Sequence, residues 1–179
     1  QIPSAIIMTP IHPSTVITCH ANADFDALAA MIAANKLYPG AALVFPGSQE
    51  TSLKDYFVQS AMYLFNFQSL KDIDLDAVRL LVVVDTRQRA RLTHVEPLLA
   101  IPGLEIHIYD HHPPSEDALT GTEEFCRPWG ATTSIIVDRI RELSLAVSED
   151  EATILGLGIF EDTGGFMFSA TTGHDFEAA

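Results

Sequence analysis

Leu80-Leu81-Val82-Val83-Val84-Asp85-Thr86 is the stretch from which the fold can be read. An unbroken apolar run rich in valine, with no polar alternate, predicts a strand covered on both faces, as in a parallel sheet. Asp85 at its end predicts a site, because open parallel sheets bind ligands outside the carboxyl ends of their strands. Similar runs occupy residues 15–19, 42–45 and 105–109, giving four expected strands. Helical patterns separate and follow them. Residues 26–37 are rich in Ala, Leu, Met and Ile and stop at Tyr38-Pro39-Gly40, where proline cannot continue a helix. A second helix is expected over 52–64, and a third over 133–143 with Ile136, Val137, Ile140 and Leu143 on one face. A fourth runs through 154–160 and is opened by Ser148 and Glu151 as a capping box. After the fourth strand the chain is expected to be mainly helical. Alternating strand and helix with right-handed crossovers gives an α/β fold, a doubly wound, mainly parallel sheet flanked by helices.

The 179 residues suit one domain, at roughly 100–200 residues per domain. With 47% hydrophobic and 19% charged residues the chain can bury a sizeable core. Lys and Arg number 10 against 24 Asp and Glu, a formal net charge of −14. That balance argues against a protein whose main task is to lie along a nucleic-acid backbone, since Lys and Arg supply such affinity. It does not exclude a nucleic-acid enzyme: part of the excess can be carboxylates gathered around divalent cations, which then attract phosphate, while most of the acids serve solubility. No apolar run approaches the ~18 residues of a membrane span. Gln1-Ile2-Pro3 lacks the basic start of a signal peptide, and the two cysteines, Cys19 and Cys126, fit a reducing compartment. A cytoplasmic protein with no membrane partner is expected.

The strand ends carry the chemistry. His20-Ala21-Asn22-Ala23-Asp24-Phe25-Asp26 follows the first strand, Asp85-Thr86 the third and Asp110-His111-His112 the fourth, while Glu161-Asp162-Thr163-Gly164-Gly165 closes the last helix. Imidazole and carboxylate without thiolate suit Mn²⁺, Mg²⁺, Co²⁺ or Fe²⁺ rather than a structural zinc. Strand alternation is expected to turn Cys19 away from His20. Ligands from so many segments exceed the need of one ion that keeps waters and substrate; two ions about 3.5–4 Å apart, sharing a carboxylate, would use them all. Asp85, alone at the end of the most hydrophobic strand, is the expected bridge. Asp24 and Asp26 have an alternative task as caps of the following helix, and one can cap while both bind metal. His107, within Ile106-His107-Ile108, reads as a satisfied core histidine, and His12, His94 and His174 read as surface. Trp129 reads as core packing, with a base-stacking platform as the alternative. Arg87, Arg89 and Arg91 are placed to receive a phosphate as bidentate forks, but three cannot face one spot and two are expected on a solvated face.

His20-x-Asn22-x-Asp24-x-Asp26, Val84-Asp85-Thr86, Asp110-His111-His112 and Asp162-Thr163-Gly164 resemble, in order and spacing, the four motifs of the DHH phosphoesterase family. Gly130-Ala131-Thr132-Thr133 resembles the segment that precedes the fourth motif. The likeness spans residues 15–179, with 1–14 as an N-terminal extension. It implies a hydrolase with two divalent ions, Mn²⁺ foremost and Mg²⁺ or Co²⁺ as substitutes. Carried over by position, His20 and Asp24 would hold one ion, Asp26, His111 and Asp162 the other, and Asp85 would bridge them. His112 and Asp110 would form the catalytic pair, His112 facing the phosphate as donor or general acid and Asp110 buttressing an imidazole.

The resemblance also implies a substrate class. His20 places the chain nearer the oligonucleotide-degrading, pyrophosphatase and polyphosphatase branches. Hydrolysis of phosphodiester bonds in short oligonucleotides or nucleotides is the leading reading. A phosphoanhydride hydrolase, or a non-catalytic metal- or nucleotide-binding regulatory domain, are the alternatives. The smaller substrate-binding domain usual in the family has no counterpart here. Leu43-Val44-Phe45-Pro46-Gly47-Ser48 and the general wording are similar to the N-terminal part of large bacterial proteins that join this domain to CBS domains and a poly(A) polymerase or tRNA nucleotidyltransferase domain. A fragment of a longer chain is therefore expected, with residues 171–176 resembling the start of a linker helix. A phosphate-containing small molecule or short oligonucleotide is the expected partner, and a homodimer stays open. The fourth motif reads Glu161-Asp162-Thr163 where Thr-Asp-Thr is commoner, which is expected to alter the surroundings of Asp162.

Overall fold

The run Leu80–Val84 forms a strand with those bounds, at the middle of the sheet. The structure is a computed structural model that describes residues 13–48 and 65–179. Its elements are β1 (Thr15–Thr18), α1 (Phe25–Leu37), β2 (Ala42–Val44), β3 (Leu80–Val84), α2 (Glu96–Leu99), β4 (Glu105–Asp110), β5 (Glu123–Cys126), α3 (Thr132–Glu142), α4 (Glu149–Asp162) and α5 (Gly173–Ala178). The helix expected over 52–64, and His12, lie outside the described residues.

Among the described residues the strands run β2-β1-β3-β4-β5, and every neighbouring pair is parallel. The chain moves outward from β1 to β2, then returns past β1 to β3. The winding reverses between β1 and β3, and at such a point the crevice at the strand ends opens. His20 follows β1 and Asp85 follows β3, so the two flank it.

After β4 the chain is mainly helical, as expected, but one further strand, β5, comes before the helices. Glu123-Glu124-Phe125-Cys126 lacks an apolar pattern because it is an edge, pairing among the described residues with β4 alone and leaving both glutamates exposed. Charged residues on an edge also discourage pairing with another chain.

Side-chain alternation divides the core. Ile17, Leu43, Val82 and Val84 join residues of α1, α3 and α4 on one face, while Val16, Val44, Leu81 and Val83 join Leu92, Val95 and Leu98 on the other. Each such fully buried aliphatic side chain contributes about 1.5–3 kcal/mol. On the second face the described connections form 3₁₀ turns and the four-residue α2 rather than long helices. Pro97, Pro102 and Gly103 interrupt that stretch.

The apolar residues of α1 face all round because it lies between the sheet and two helices; its Ala27, Ala29, Ala30, Ala33 and Ala34 are fully buried. Gly158 of α4 sets the approach, since a Cβ there would lie 2.5 Å from the Ala29 Cβ. Lys36 of α1 pairs with Glu151 at 2.9 Å, and Ser148 and Glu151 form the capping box that opens α4. His107 sits in the sheet with its Nδ1 2.7 Å from the Tyr38 hydroxyl. No described helix is long and apolar enough to cross a membrane.

Candidate metal centre

Each strand end delivers its residues by a local device. After β1 the chain turns through Asn22 at φ +57°, a left-handed conformation asparagine tolerates. It enters α1 with Asp24 as N-cap, whose Oδ1 accepts the Ala27 N–H at 2.9 Å. Asp24 Oδ2 is then 3.6 Å from His20 Nε2. Asp26, in the first turn of α1, is buried and receives the first backbone amides of α3: Thr132 N–H to Oδ2 at 2.8 Å and Thr133 N–H to Oδ1 at 3.0 Å. Helix N-termini carry free donors and favour a carboxylate.

Asp85 takes φ +60° immediately after β3. For a residue other than glycine this region costs on the order of 1–3 kcal/mol, and such strain gathers at functional sites. The turn splits the carboxylate between two neighbours: Oδ2 lies 3.2 Å from His20 Nε2, and Oδ1 lies 3.6 Å from His111 Nε2. His111 Nε2 is also 3.2 Å from Asp162 Oδ2, at the end of α4.

The ligand atoms form three overlapping groups, each within 4.8 Å: His20, Asp24 and Asp85; Asp26, His111 and Asp162; and Asp85, His111 and His112. All eight residues singled out from the sequence thus lie at one edge of the sheet, seven of them in these groups, with Asp110 bonded to His112 beside them. Asp162 Oδ2 is buried with no hydrogen-bond donor. Burial and the charges of Asp85 and Asp162 push the Asp26 carboxyl well up. Burial also lifts Asp162 to about 6, against the pull of His111 and with the repulsion of Asp85. Burial alone would lower the His20 imidazole, but its bonds to Asp24 and Asp85 reverse that and raise it to about 9. Crowded carboxylates, an orphaned oxygen and imidazole nitrogens turned toward acids all ask for added positive charge. Oxygen and imidazole donors of this kind fit divalent cations.

Hydrogen bonds from the far sides of the rings orient the imidazoles. The Trp129 carbonyl lies 3.1 Å from His111 Nδ1; a carbonyl only accepts, so Nδ1 carries a proton there and Nε2 is the nitrogen turned toward the acids. His112 donates Nδ1–H to Asp110 Oδ1 at 2.8 Å and turns its other edge outward, the side chain 42% exposed. Asp110 is fully buried and also accepts Arg87 Nε at 3.1 Å. Its bond to His112 raises that imidazole above the usual histidine range, against burial. A cleft of about 300 Å³ opens here, lined by His111, His112, Arg127 and the prolines Pro113, Pro114 and Pro128.

The three arginines are all engaged. Arg87 also donates to the His112 carbonyl at 2.8 Å, Arg89 pairs with Glu96, and Arg91 Nη2 reaches His20 Nδ1 at 2.7 Å. Ala21 offers its carbonyl to the same nitrogen at 2.9 Å. Guanidinium donates and carbonyl accepts, so the two compete for His20, and only the carbonyl-bound tautomer presents an Nε2 lone pair.

One expectation is overturned. His94 is not a surface residue: its Nε2 lies 2.8 Å from the Thr18 hydroxyl, which itself donates to the Val44 carbonyl, and burial lowers the imidazole. The 3₁₀ turn after β3 carries it back over β1. His174 is exposed, but its ring stacks on Trp129 at 4.1 Å and 10°, so Trp129 packs against a side chain of α5. Glu161 accepts the Phe25 N–H at 3.1 Å, supporting the start of α1. Thr132, which the sequence offered only as part of the segment 130–133 and without a role, bonds both Asp26 and Asp85. Its signal was a Gly-Ala-Thr-Thr lead into a helix, where the first amides are free.

Residues 14–159 match the DHH family, N-terminal domain. The chain is 43% identical over 164 residues, 92% of its length, to an A-adding tRNA nucleotidyltransferase of Geobacter sulfurreducens, of which this covers 19%. It is 27% identical over 169 residues to a probable bifunctional oligoribonuclease and PAP phosphatase NrnA of Streptococcus mutans, covering 92% of this chain and 50% of that one. The fold is shared with a crystal structure of a putative family II inorganic pyrophosphatase from Methanococcus jannaschii, at a TM-score of 0.68 and 21% identity over 92% of this chain and 53% of that one. The chain thus spans about a fifth of the first of these curated relatives and half of the second. A parallel sheet with its acids and imidazoles at one edge, and a family match across most of its length, make this chain a member of the DHH family.

Proposed function

We propose that the chain is a hydrolase that cleaves phosphodiester bonds of short oligonucleotides or nucleotides at a centre of two divalent ions, Mn²⁺ foremost. The observation that carries this reading is Asp85, with one carboxylate oxygen 3.2 Å from His20 and the other 3.6 Å from His111. One carboxylate between two ligand groups is how a bridged pair of ions is held. His20, Asp24 and Asp85 would hold one ion and Asp26, His111 and Asp162 the other. Bound there, the ions supply charge neutralisation at phosphate oxygens and a more acidic water. His112 turns its Nε2 edge to the cleft and gives a proton to the departing oxygen. Asp110 keeps the opposite nitrogen protonated and the ring in place. The relative that is a probable oligoribonuclease and PAP phosphatase supports the substrate class. The free thiols of Cys19 and Cys126 support a cytoplasmic setting for this activity.

A second reading has its own support. The relative at 43% identity is an A-adding tRNA nucleotidyltransferase in which the matching part is a minor share. In that setting the domain binds metal or nucleotide and regulates its neighbours without turnover.

The deciding experiment gives the chain Mn²⁺ and, separately, a short oligoribonucleotide, pyrophosphate and polyphosphate, with Asp85→Asn as control. Asparagine tolerates the left-handed backbone, so the variant removes charge without disturbing the turn. Oligonucleotide cleavage lost in Asp85→Asn is the expected result. Cleavage of pyrophosphate or polyphosphate alone would replace it with a phosphoanhydride hydrolase, and Mn²⁺ binding without turnover would favour the regulatory reading.

A further inference from the structure

We propose that Asp175 is a positioning residue for His111, acting through the peptide that joins Trp129 to Gly130. The carbonyl of that peptide lies 3.1 Å from His111 Nδ1, and its N–H donates to Asp175 Oδ2 at 2.8 Å. A planar trans peptide points its C=O and N–H in opposite directions, so a carboxylate that fixes one end aims the other. The bond to a charged acceptor is also the strong kind, and it polarises the peptide so that its carbonyl accepts more readily. Both effects hold the proton on His111 Nδ1 and leave Nε2 directed at Asp162 and Asp85.

Asp175 is built for this. It is fully buried at the first turn of α5, and the Thr172 N–H and hydroxyl converge on the same Oδ2 at 2.7 and 2.8 Å. Gly130 is the residue this contact demands: a Cβ there would lie 2.7 Å from Asp175 Oδ2 and 2.8 Å from Thr163 Cγ2. His174, next in sequence, stacks on the Trp129 ring, so α5 grips the peptide from two sides. A carboxylate that only capped α5 would need the Thr172 donors and no others. The donor contributed by Gly130, 45 positions earlier, is what joins α5 to the imidazole.

The tautomer can be read without metal; its effect on ion binding rests on the proposed role of His111 as ligand. The test is nitrogen NMR of the histidine rings in the metal-free 179-residue chain, with calorimetry of Mn²⁺ binding. Wild type should show His111 as the Nδ1–H form. Asp175→Ala should shift it to a mixture and weaken Mn²⁺ binding by about tenfold, the lower end of what outer partners of a metal ligand contribute. Asp175→Asn keeps an acceptor without charge and should fall between, serving also if the alanine variant does not fold. Thr172→Val disturbs the cap of α5 but spares the Gly130 bond, and should leave the His111 signal unchanged. A folded Asp175→Ala chain with the wild-type tautomer would overturn the proposal, as would a Thr172→Val chain with the same shift. A shifted tautomer with unchanged Mn²⁺ affinity would uphold the relay and remove His111 from the ligands.

Discussion

Thr132 donates its hydroxyl to Asp85 Oδ1 at 2.8 Å, so the first residue of α3 steadies the carboxylate that ends β3. The same residue gives its backbone amide to Asp26. Thr132→Val keeps the shape and the amide but leaves a buried acceptor short of a donor. It should lower metal-free stability by about 1–3 kcal/mol. At about 2–4 °C per kcal/mol for a chain of this size, calorimetric melting will resolve it. Thr132→Ser should recover most of the loss; equal melting of the valine variant and wild type would mean the bond contributes nothing.

Arg91 and the Ala21 carbonyl compete for His20 Nδ1. Arg91→Met keeps the aliphatic stem and removes the competing donor and its positive charge. Mn²⁺ should bind more tightly by about three- to tenfold, the scale of one hydrogen bond of ~1 kcal/mol. Titration calorimetry gives the answer, and weaker binding would show that Arg91 supports the site.

Gly158→Ala places a methyl 2.5 Å from the Ala29 Cβ and 3.2 Å from the Phe25 carbonyl. Since α1 and α4 must then part, the substitution should cost about 1–3 kcal/mol despite the better helix propensity of alanine. A variant that melts at or above the wild-type temperature would show that the two helices separate without strain.

Glu151 lies between the Ser148 amide and Lys36, with its side chain 16% exposed. Burial works against ionisation there, but the Ser148 and Lys36 contacts prevail and its carboxyl falls below the usual range. A lowered acid stabilises the fold above its unfolded value of about 4.3 and loses that contribution as pH falls through the folded value. The stability gap between wild type and Glu151→Gln, from urea unfolding, should therefore be steady from pH 7 to 5 and shrink below pH 4. A gap independent of pH would mean the charge is irrelevant.

The runs 15–19, 42–45, 80–84 and 105–109 were legible because a strand buried on both faces needs no polar alternate, and β1 to β4 occupy them within a residue. β5 was not, because its glutamates answer to the solvent at an edge rather than to the core. Likewise the strand-end acids and imidazoles announced a site, yet His94 gave no sign of the Thr18 hydroxyl it meets from 76 positions away. Asp175 was hidden for the same reason: Thr172-x-x-Asp175 reads as a local cap, and only the fold brings Gly130 against it. Periodicity reports on what a segment buries, while pairings between distant segments leave no local trace.

Asp26 receives its two amides from residues 106 and 107 positions further along. Synthesis runs from the N-terminus at roughly 5–20 residues per second, so on the order of 5–20 seconds separate the acid from its donors. A nascent chain that has exposed only β1 to β4 holds Asp24, Asp26 and Asp85 without the helix that gathers two of them. The acidic cluster is therefore completed only once the turn into α3 has emerged, which brings the donors that offset its mutual repulsion.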